Sequence, residues 1–517
     1  MLHLNSNLYS HFQEQFAFCG DKPALVLADK TTISYADLER ESARLARYLV
    51  DLGIEVGDRV SVQVAKSPQA VYLYLACLRA GFVFHPLNTG YKESELAYFL
   101  SNAEPAIVVC DERDHQVMAR LCDKNKVNHL LTLNADGGGS LIENSKASVA
   151  DFSVVDRADN DLAALLYSSG TTGVPKGIML SHLNLRSNAS CLVQAWGFSR
   201  DDVLLHALPI FHVHGLFVAL GCVFLSGASM RWLQDFNIEQ VMSDLPDCTV
   251  MMGVPTYYTR LLSNEQFDRT LTSNIRLFIS GSAPLLTETF GQFSDRTGQS
   301  ILERYGMTET NMNTSNPLLG ERRAGTVGLP LPGVDVRIVD QQRLVVSRGE
   351  IGDIQVRGDN VFRGYWRIPD KTAEDLGADG FFNTGDKGIL SEDGYVSIVG
   401  RAKDLVITGG LNVYPKEVEL VIDDIGGVKE SAVIGIAHSD FGEAVVAVVV
   451  YHNSNEEPDE SAIINSLKLQ ISGFKVPKRV ISINELPRNT MGKVQKNVLR
   501  EKFNDLFSQS NLQETKV

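Results

Sequence analysis

Residues 167–177 read Tyr-Ser-Ser-Gly-Thr-Thr-Gly-Val-Pro-Lys-Gly and follow an apolar run at residues 162–167. The segment brings hydroxyls, glycines and the amine of Lys176 into one short loop. Glycines let backbone N–H groups approach an anion, hydroxyls donate further hydrogen bonds, and a lysine supplies positive charge. The segment therefore predicts a phosphate-binding loop after a buried strand. A surface loop without a ligand has the same composition, so composition alone leaves both interpretations open.

The loop does not follow the Walker A pattern of the P-loop nucleotidases. Counting from Gly170 places Pro175 where the second glycine of GxxxxGK[ST] should stand. This argues against a P-loop nucleotidase and leaves another kind of phosphate site.

The chain is long and its overall composition is ordinary for a folded protein. It has 517 residues, 44% of them hydrophobic and 21% charged, which allows about three domains or one large lobed enzyme. Its 48 Lys and Arg against 63 Asp and Glu give a formal charge of -15. We therefore expect neither a nucleic acid nor a membrane as a partner, and any anionic ligand must be held locally.

The cysteines favour a cytoplasmic protein. The seven cysteines are scattered without a CxxC pair, which predicts reduced thiols in the core. The first residues lack the pattern of a signal or transit peptide. Residues 203–230 contain no Asp, Glu, Lys or Arg, but their uninterrupted apolar part, residues 216–225, is shorter than the ~20 residues of a membrane span. We expect a buried helix there.

Alternating helix and strand signals predict an α/β fold. Ser34 and Asp37 form a capping box before an apolar helical stripe that Gly53 ends. Beyond residue 400 a compact unit with a helix opened by Pro415 predicts a separate α+β domain. We place the domains at residues 1–402 and 403–517.

Five segments resemble, in order, the motifs of the AMP-forming acyl-CoA synthetases, the superfamily that also contains luciferases and peptide-synthetase adenylation domains. They are residues 167–177, 305–310 (Tyr-Gly-Met-Thr-Glu-Thr), 384–386 (Thr-Gly-Asp), 400–417 and 487–493 (Pro-Arg-Asn-Thr-Met-Gly-Lys). The resemblance covers essentially the whole chain. It implies a large N-terminal adenylate-forming domain built on packed sheets and helices, with a small mobile C-terminal α+β domain.

The resemblance also implies roles for single residues. Catalytic roles fall to Lys493, Lys176 and Glu309, and Mg²⁺ would be held by Glu309 and Thr171. The hinge would be Lys403, and Gly409 and Gly410 would face the CoA channel. The residues implied at ATP or AMP are Ser168, Ser169, Gly170, Thr171, Thr172, Gly173, Lys176, Gly281, Ser282, Ala283, Glu303, Tyr305, Gly306, Met307, Thr308, Asp386, Arg401 and Lys493.

These roles agree with the chemistry of the side chains. A carboxylate beside a triphosphate requires a bridging cation, which suits Glu309 with Mg²⁺. A carboxylate accepting two sugar hydroxyls suits Asp386, and an ammonium that neutralises developing charge suits Lys493. The implied reaction joins a carboxylic acid to the α-phosphate of ATP, releases pyrophosphate, and then transfers the acyl group to the CoA thiol.

Residues 205–217, 303–317 and 487–500 resemble the malonyl-CoA synthetases within this superfamily. A second carboxylate on the substrate needs a cation in the acyl pocket, because an unpaired buried charge is costly. Arg304 is the first candidate, His206 a second as a hydrogen-bond donor, and Arg231 a weaker third. His212 would line the acyl tunnel without selecting among acids.

The predicted function is therefore ATP-dependent malonate:CoA ligation, with methylmalonate as a further substrate. The alternatives are a ligase for another short or aromatic acid, in which Arg304 is structural, adenylation for a carrier protein, and a non-catalytic nucleotide-binding protein. The last is disfavoured because Lys176, Glu309, Asp386, Arg401 and Lys493 are all present. Acetylation of Lys493 by a lysine acetyltransferase is a further hypothesis, since it would remove the ammonium.

Overall fold

The computed structural model describes residues 5–168, 175–283, 285, 287–401, 406–413, 415–451, 460–487 and 494–507. Over these residues the chain forms a six-stranded sheet, a nine-stranded sheet, a four-stranded sheet and, towards the C-terminus, a five-stranded sheet. Helices cover the first two sheets, so the predicted α/β class, with a large first part and a small α+β second part, is confirmed.

The helices in chain order are α1 (Leu8–Cys19), α2 (Tyr35–Asp51), α3 (Pro68–Ala80), α4 (Glu93–Ala103), α5 (His115–Asn125), α6 (Ser140–Ser145), α7 (His182–Ala195), α8 (Leu220–Ser226), α9 (Ile238–Asp244), α10 (Pro255–Leu262), α11 (Thr287–Thr297), α12 (Pro369–Asp375), α13 (Pro415–Asp423), α14 (Glu460–Gln470) and α15 (Lys496–Lys502).

The strands in chain order are β1 (Pro23–Leu27), β2 (Thr32–Ser34), β3 (Arg59–Gln63), β4 (Val83–Pro86), β5 (Ile107–Cys110), β6 (His129–Thr132), β7 (Leu162–Ser168), β8 (Lys176–Ser181), β9 (Val203–His206), β10 (Ser229–Trp232), β11 (Val250–Gly253), β12 (Leu277–Ser280), β13 (Leu302–Met307), β14 (Asn311–Ser315), β15 (Leu329–Pro330), β16 (Val334–Val339), β17 (Gly352–Gly358), β18 (Phe382–Leu390), β19 (Val396–Arg401), β20 (Val406–Thr408), β21 (Leu411–Val413), β22 (Val428–His438), β23 (Gly442–Tyr451) and β24 (Arg479–Ser482).

Local sequence explains where the elements begin and end. The Ser34 hydroxyl accepts a hydrogen bond from the backbone N–H of Asp37, whose carboxylate accepts one from the backbone of Ser34, so α2 begins with the predicted capping box. The predicted C-terminal helix begins at Pro415 as α13 and ends at Asp423.

The two large sheets bring the carboxyl ends of their parallel strands to common edges. The six-stranded sheet has the order β6-β5-β3-β4-β7-β8, and only β7 and β8 pair antiparallel. In the nine-stranded sheet β13, β12, β11, β9, β10 and β1 are parallel. Ligands of open α/β sheets bind at such carboxyl edges, so the residues that follow these strands form the candidate site.

The charge-free segment at residues 203–230 folds differently from the single buried helix that the sequence predicts. It forms β9, a buried π-helical turn at His214–Ala219, then α8 and the beginning of β10. Polar residues and Pro209 interrupt the apolar run, so only its last part is regular helix. Among the described residues no helix combines the length and the apolar character that crossing a bilayer requires.

The second part has its own core on both faces of the five-stranded sheet. Alternate residues of β22 point to opposite faces, so Val433 joins one apolar cluster while Ala432 and Ile434 join the other. The predicted domain limit between residues 402 and 403 lies outside the described residues and stays a prediction.

The cysteines are all free thiols, as the sequence predicts. Six are buried and Cys191 is partly exposed.

Candidate active site

The predicted phosphate loop lies at the junction of β7 and β8. Ser169, Gly170, Thr171, Thr172 and Gly173 lie outside the described residues, so their roles stay predictions. Its flanks are described: Ser168 ends β7, Lys176 begins β8, and the two are cross-strand partners. The Lys176 ammonium lies 4.5 Å from the centre of the Tyr365 ring, a cation–π contact that fixes the lysine beside the loop.

Glu309 reaches this loop from the other large sheet. Its carboxylate is 6% exposed, and the Ser168 hydroxyl donates to it at 3.5 Å. Hard oxygen donors of this kind suit Mg²⁺, which commonly takes one or two protein carboxylates and completes its shell with phosphate and water. Among the described residues no cluster of three or more His, Cys, Asp or Glu side chains forms a self-sufficient metal site. The arrangement therefore fits a cation that a nucleotide helps to hold.

A carboxylate on the four-stranded sheet faces the same edge. Asp386 is 1% exposed, and the Tyr305 hydroxyl donates to its Oδ2 at 2.5 Å. The Thr384 hydroxyl accepts a hydrogen bond from the backbone N–H of Asp386 at 3.1 Å. Arg401 is the backbone partner of Asp386 across β18 and β19; its side chain lies outside the description. The fold thus brings Tyr305, Asp386 and Arg401 together, and the sequence did not reveal the contact between the first two.

The chain segment from β12 to β13 carries the remaining nucleotide candidates. Gly281, Ser282 and Ala283 follow the end of β12. Gly306 and Met307 close β13, and Thr308 lies in the turn that leads to Glu309. Because β12 and β13 are parallel neighbours, these residues lie at one edge of the sheet.

Arg304 is a buried cation that no described carboxylate neutralises. It is 3% exposed, and its Nε and Nη2 atoms have no hydrogen-bond partner among the described residues. Burial lowers its pKa to about 10, with a small opposing effect from Tyr258, so the guanidinium remains charged at neutral pH. It packs on Gly281: a Cβ there would lie 2.4 Å from the guanidinium carbon. The absence of a side chain at Gly281 makes room for the Arg304 guanidinium. The Nε–H and Nη2–H groups of Arg304 are available to donate hydrogen bonds to a ligand.

Glu303, the residue before Arg304, points to the other face of β13 because side chains alternate along a strand. Its Oε1 accepts a hydrogen bond from the backbone N–H of Leu285 at 3.3 Å, while Oε2 has no partner among the described residues. Burial raises the pKa of this carboxyl to about 7. Glu303 therefore does not pair with its neighbour.

The structure gives His206 two protein partners. Its Nδ1 lies 2.8 Å from the Lys66 ammonium, and its Nε2 lies 2.9 Å from the Gly215 carbonyl oxygen. In this arrangement His206 has no ring nitrogen left for a substrate carboxylate, contrary to the direct contact expected from the sequence. Lys66 itself escaped sequence reasoning, since nothing local marks a lysine that pairs 140 residues away.

Two more buried histidines lie close to each other, and His214 is near Arg304. The His212 ring is tilted against Phe211, with ring centres 4.7 Å apart, and burial lowers the pKa of His212 to about 4. His214 accepts or donates through Nδ1 to the Ser282 hydroxyl at 3.3 Å, and burial together with Arg304 lowers its pKa well below the usual value. Both rings are therefore neutral. Arg231, the third cation candidate, is neutralised by Asp247 at 2.6 Å.

The second part of the chain contacts the first part at this site. Gly410, at a φ of 78°, lies against Val254, and a Cβ on it would be 2.8 Å from the valine Cγ1. Lys475 forms an ion pair with Glu95 at 2.7 Å and another with Glu417, and each of the three side chains is at most 10% exposed. Lys403 and Lys493 lie outside the described residues.

The chain is similar to known enzymes over most of its length. The AMP-binding enzyme family matches residues 12–366, and the AMP-binding enzyme C-terminal domain matches residues 417–493. The chain belongs to the AMP-binding enzyme family. The ligase is 50% identical to ATP-bound MatB from Rhodopseudomonas palustris, with a TM-score of 0.77 over 98% of this chain and 100% of that one.

Two relatives at the same level of identity act on different acids according to their names. The ligase is 31% identical to the malonate–CoA ligase of Arabidopsis thaliana, over 92% of this chain and 85% of that enzyme. It is also 31% identical to the long-chain-fatty-acid–CoA ligase of Yersinia pestis, over 96% of this chain and 94% of that enzyme. The class is thus an AMP-forming acid–thiol ligase, which implies ATP, CoA and a carboxylate as small-molecule substrates. Equal identity to both relatives leaves the acid to be argued from the site.

Proposed function

We propose that the protein is an ATP-dependent malonate:CoA ligase that forms malonyl-CoA through a malonyl-adenylate, with methylmalonate as a further substrate. The observation that carries the proposal is the buried, charged guanidinium of Arg304, whose Nε and Nη2 atoms have no partner within the described part of the chain. A desolvated cation without a counter-ion is costly, and a substrate carboxylate at that point removes the cost. The similarity to the Arabidopsis malonate–CoA ligase supports the same acid.

Geometry allows a short dicarboxylate at this place. Arg304 belongs to the same strand as Tyr305, which reaches Asp386, and lies two residues from Gly306 in the nucleotide candidate segment. One carboxylate paired with Arg304 would leave the other to face the nucleotide across a short spacer. A guanidinium with Nε and Nη2 available binds a carboxylate through two parallel hydrogen bonds, which fixes its orientation.

In the first half-reaction we propose that Lys176, Ser168 and Glu309 position the triphosphate with Mg²⁺, and that Asp386 binds the ribose hydroxyls. Mg²⁺ would neutralise phosphate charge in the site. The protein's main contribution is alignment, because a carboxylate held in line with the α-phosphate reacts as an intramolecular group. Lys493 is proposed to neutralise the charge that develops there.

In the second half-reaction the CoA thiol attacks the acyl carbonyl, the bond to phosphate breaks, and AMP leaves. The contact of Gly410 with Val254 supports a role for the turn between β20 and β21 in shaping the thiol's approach, because any side chain would meet the valine. Lys403 is proposed as the hinge that lets the second part move between the two steps.

The test is AMP release that depends on both ATP and CoA, measured with acetate, propionate, malonate, methylmalonate, succinate, octanoate and 4-coumarate. Wild type should prefer malonate. Arg304→Ala should lose about a hundredfold or more in kcat/KM for malonate and little for propionate, because truncating one partner of a buried charge pair strands the other.

Arg231→Ala is the matched control, since Asp247 already neutralises that arginine and no selective loss is expected. Equal loss of malonate and propionate use in Arg304→Ala would refute the carboxylate-pairing role. Preference of wild type for a monocarboxylate would favour the alternative, a ligase for another short or aromatic acid in which Arg304 is structural.

Acetylation of Lys493 remains a separate hypothesis about regulation. An acetyltransferase that modified this lysine would remove the ammonium proposed for the first half-reaction. Mass spectrometry on the acetylated protein, together with the AMP-release assay, tests it; full activity of the acetylated form would end it.

A further inference from the structure

Lys66 is a buried lysine outside every motif of the predicted site. It follows β3 and precedes α3, is 8% exposed, and has no carboxylate within ion-pair distance among the described residues. Its ammonium donates to His206 Nδ1 at 2.8 Å and to the His206 carbonyl oxygen at 2.9 Å, and lies 4.2 Å from the centre of the Trp232 ring. The Lys66 nitrogen thus makes three contacts, all with neutral groups, and these contacts fix its position.

These contacts determine which nitrogen of His206 carries the proton. The Gly215 carbonyl oxygen can only accept, so Nε2 of His206 donates to it and Nδ1 accepts from Lys66. The Trp232 ring packs at a tilt of 32° against the same imidazole, with ring centres 4.9 Å apart. His206 is consequently held in one tautomer and one orientation.

Gly215 belongs to the buried π-helical turn at His214–Ala219, whose first residue, His214, lies near Arg304. His214, the first residue of the turn, contacts the Ser282 hydroxyl at 3.3 Å. Ser282 follows Gly281, on which the Arg304 guanidinium packs. A continuous series of contacts therefore runs from Lys66 through His206 and the turn to the arginine. π-Helical turns are uncommon and occur often at functional sites, which fits a turn that must be held in place.

We propose that Lys66 is a positioning residue for acid selection: through His206 it holds the His214–Ala219 turn, and with it the wall on which Arg304 meets the second carboxylate of the substrate. The proposal rests on the proposed malonate function. Lys66 does not touch the substrate in this arrangement, and its effect passes through the orientation of the arginine. A monocarboxylate has no group for Arg304, so its use should depend much less on Lys66.

The test compares Lys66→Met with wild type. Methionine keeps the length of the side chain over Trp232 and removes both hydrogen bonds to His206. We expect KM for malonate to rise about ten- to a hundredfold, the size of effect that the loss of two buried hydrogen bonds produces. KM for ATP and kcat/KM for propionate should change by less than about threefold, and thermal unfolding should show that the variant is folded.

Lys22→Met is the matched control. The Lys22 ammonium also donates to two carbonyl oxygens, those of Arg200 and Gly227, but lies beside α1 and outside the candidate site. It should leave KM for malonate unchanged. His206→Gln keeps an amide donor for Gly215 but replaces the ring Nδ1, which accepts from Lys66, by a carbonyl oxygen one bond further from the backbone. If Lys66 acts only through His206, the double variant with Lys66→Met should be no worse than the weaker of the two single variants.

The outcomes separate this inference from the proposed function. Wild type that does not use malonate overturns the proposed function itself. Wild type that uses malonate, with an unchanged malonate KM in Lys66→Met, overturns only the positioning role. Parallel loss of malonate and propionate use shows a purely structural lysine and also overturns it, as does additivity of Lys66→Met with His206→Gln.

Discussion

Replacing Glu303 with glutamine should make the ligase more stable at pH 8 and leave its stability at pH 4.5 nearly unchanged. Burial raises the pKa of Glu303 from an ordinary 4.5 to about 7, because the charged carboxylate has little contact with solvent and, among the described residues, a single hydrogen-bond donor, the backbone N–H of Leu285. The folded state therefore holds a proton that the unfolded chain has released between these two pH values. Below pH 4.5 the carboxyl is protonated in both states, so its raised pKa does not affect the stability of the fold. As the pH rises from 4.5 through about 7 the free energy of unfolding falls, until the buried carboxyl ionises in the folded state as well.

The magnitude follows from the two pKa values. From 4.5 to about 7, at about 1.4 kcal/mol per pH unit, the ionised carboxylate costs about 3 kcal/mol of unfolding free energy at pH 8. Glutamine resembles the protonated form and never ionises, so the variant should recover most of this amount. For a cooperative unit of about 400 residues the gain corresponds to about 4 °C in Tm.

The assay is thermal unfolding by calorimetry of wild type and Glu303→Gln at pH 4.5, 6 and 8. Asp202→Asn is the control of opposite sign: hydrogen bonds from Arg276 and Thr249 outweigh burial and lower the pKa of Asp202, so its loss should lower Tm at pH 6 and 8. If the Tm difference between Glu303→Gln and wild type were the same at every pH, or if the variant had the lower Tm at pH 8, the raised pKa of Glu303 would be refuted.

The remaining predictions concern the nucleotide site and the contact between the two parts of the chain. Tyr305→Phe removes the 2.5 Å hydrogen bond to Asp386 and should raise KM for ATP about tenfold in the AMP-release assay. Lys475→Met leaves its two buried glutamates without their cation and should cost about 3–5 kcal/mol, measured by thermal unfolding. Gly410→Ala places a Cβ 2.8 Å from Val254 and should slow CoA-dependent thioester formation at least tenfold while ATP–pyrophosphate exchange survives.

Lys475→Met and Gly410→Ala each have a control within the chain. Arg260→Ala removes another ion pair that joins the two parts, with Asp440 at 3.0 Å, but this pair is exposed and should cost less than about 1 kcal/mol. Val254→Ala should restore part of the activity of Gly410→Ala, because it removes the methyl group in the way. An unchanged KM for ATP in Tyr305→Phe would contradict the role proposed for Asp386.

Local sequence rules predicted the elements whose ends have a chemical signature. The capping box of Ser34 and Asp37 placed the start of α2, and Pro415 placed the start of α13. The same rules misassigned the segment at residues 203–230, because lack of charge reports burial and says nothing about whether a buried segment is strand, π-turn or helix.

The sequence by itself determined the family, the order of the nucleotide motifs and the presence of one arginine suited to a second carboxylate. These are properties of residue type and spacing along the chain. Only the tertiary structure decided the partners: that Arg304 has none among the described side chains, that Arg231 has Asp247, and that His206 is committed to Lys66. The physical reason is that a hydrogen bond or an ion pair depends on distance and direction in space, and buried partners lie tens to hundreds of residues apart in sequence.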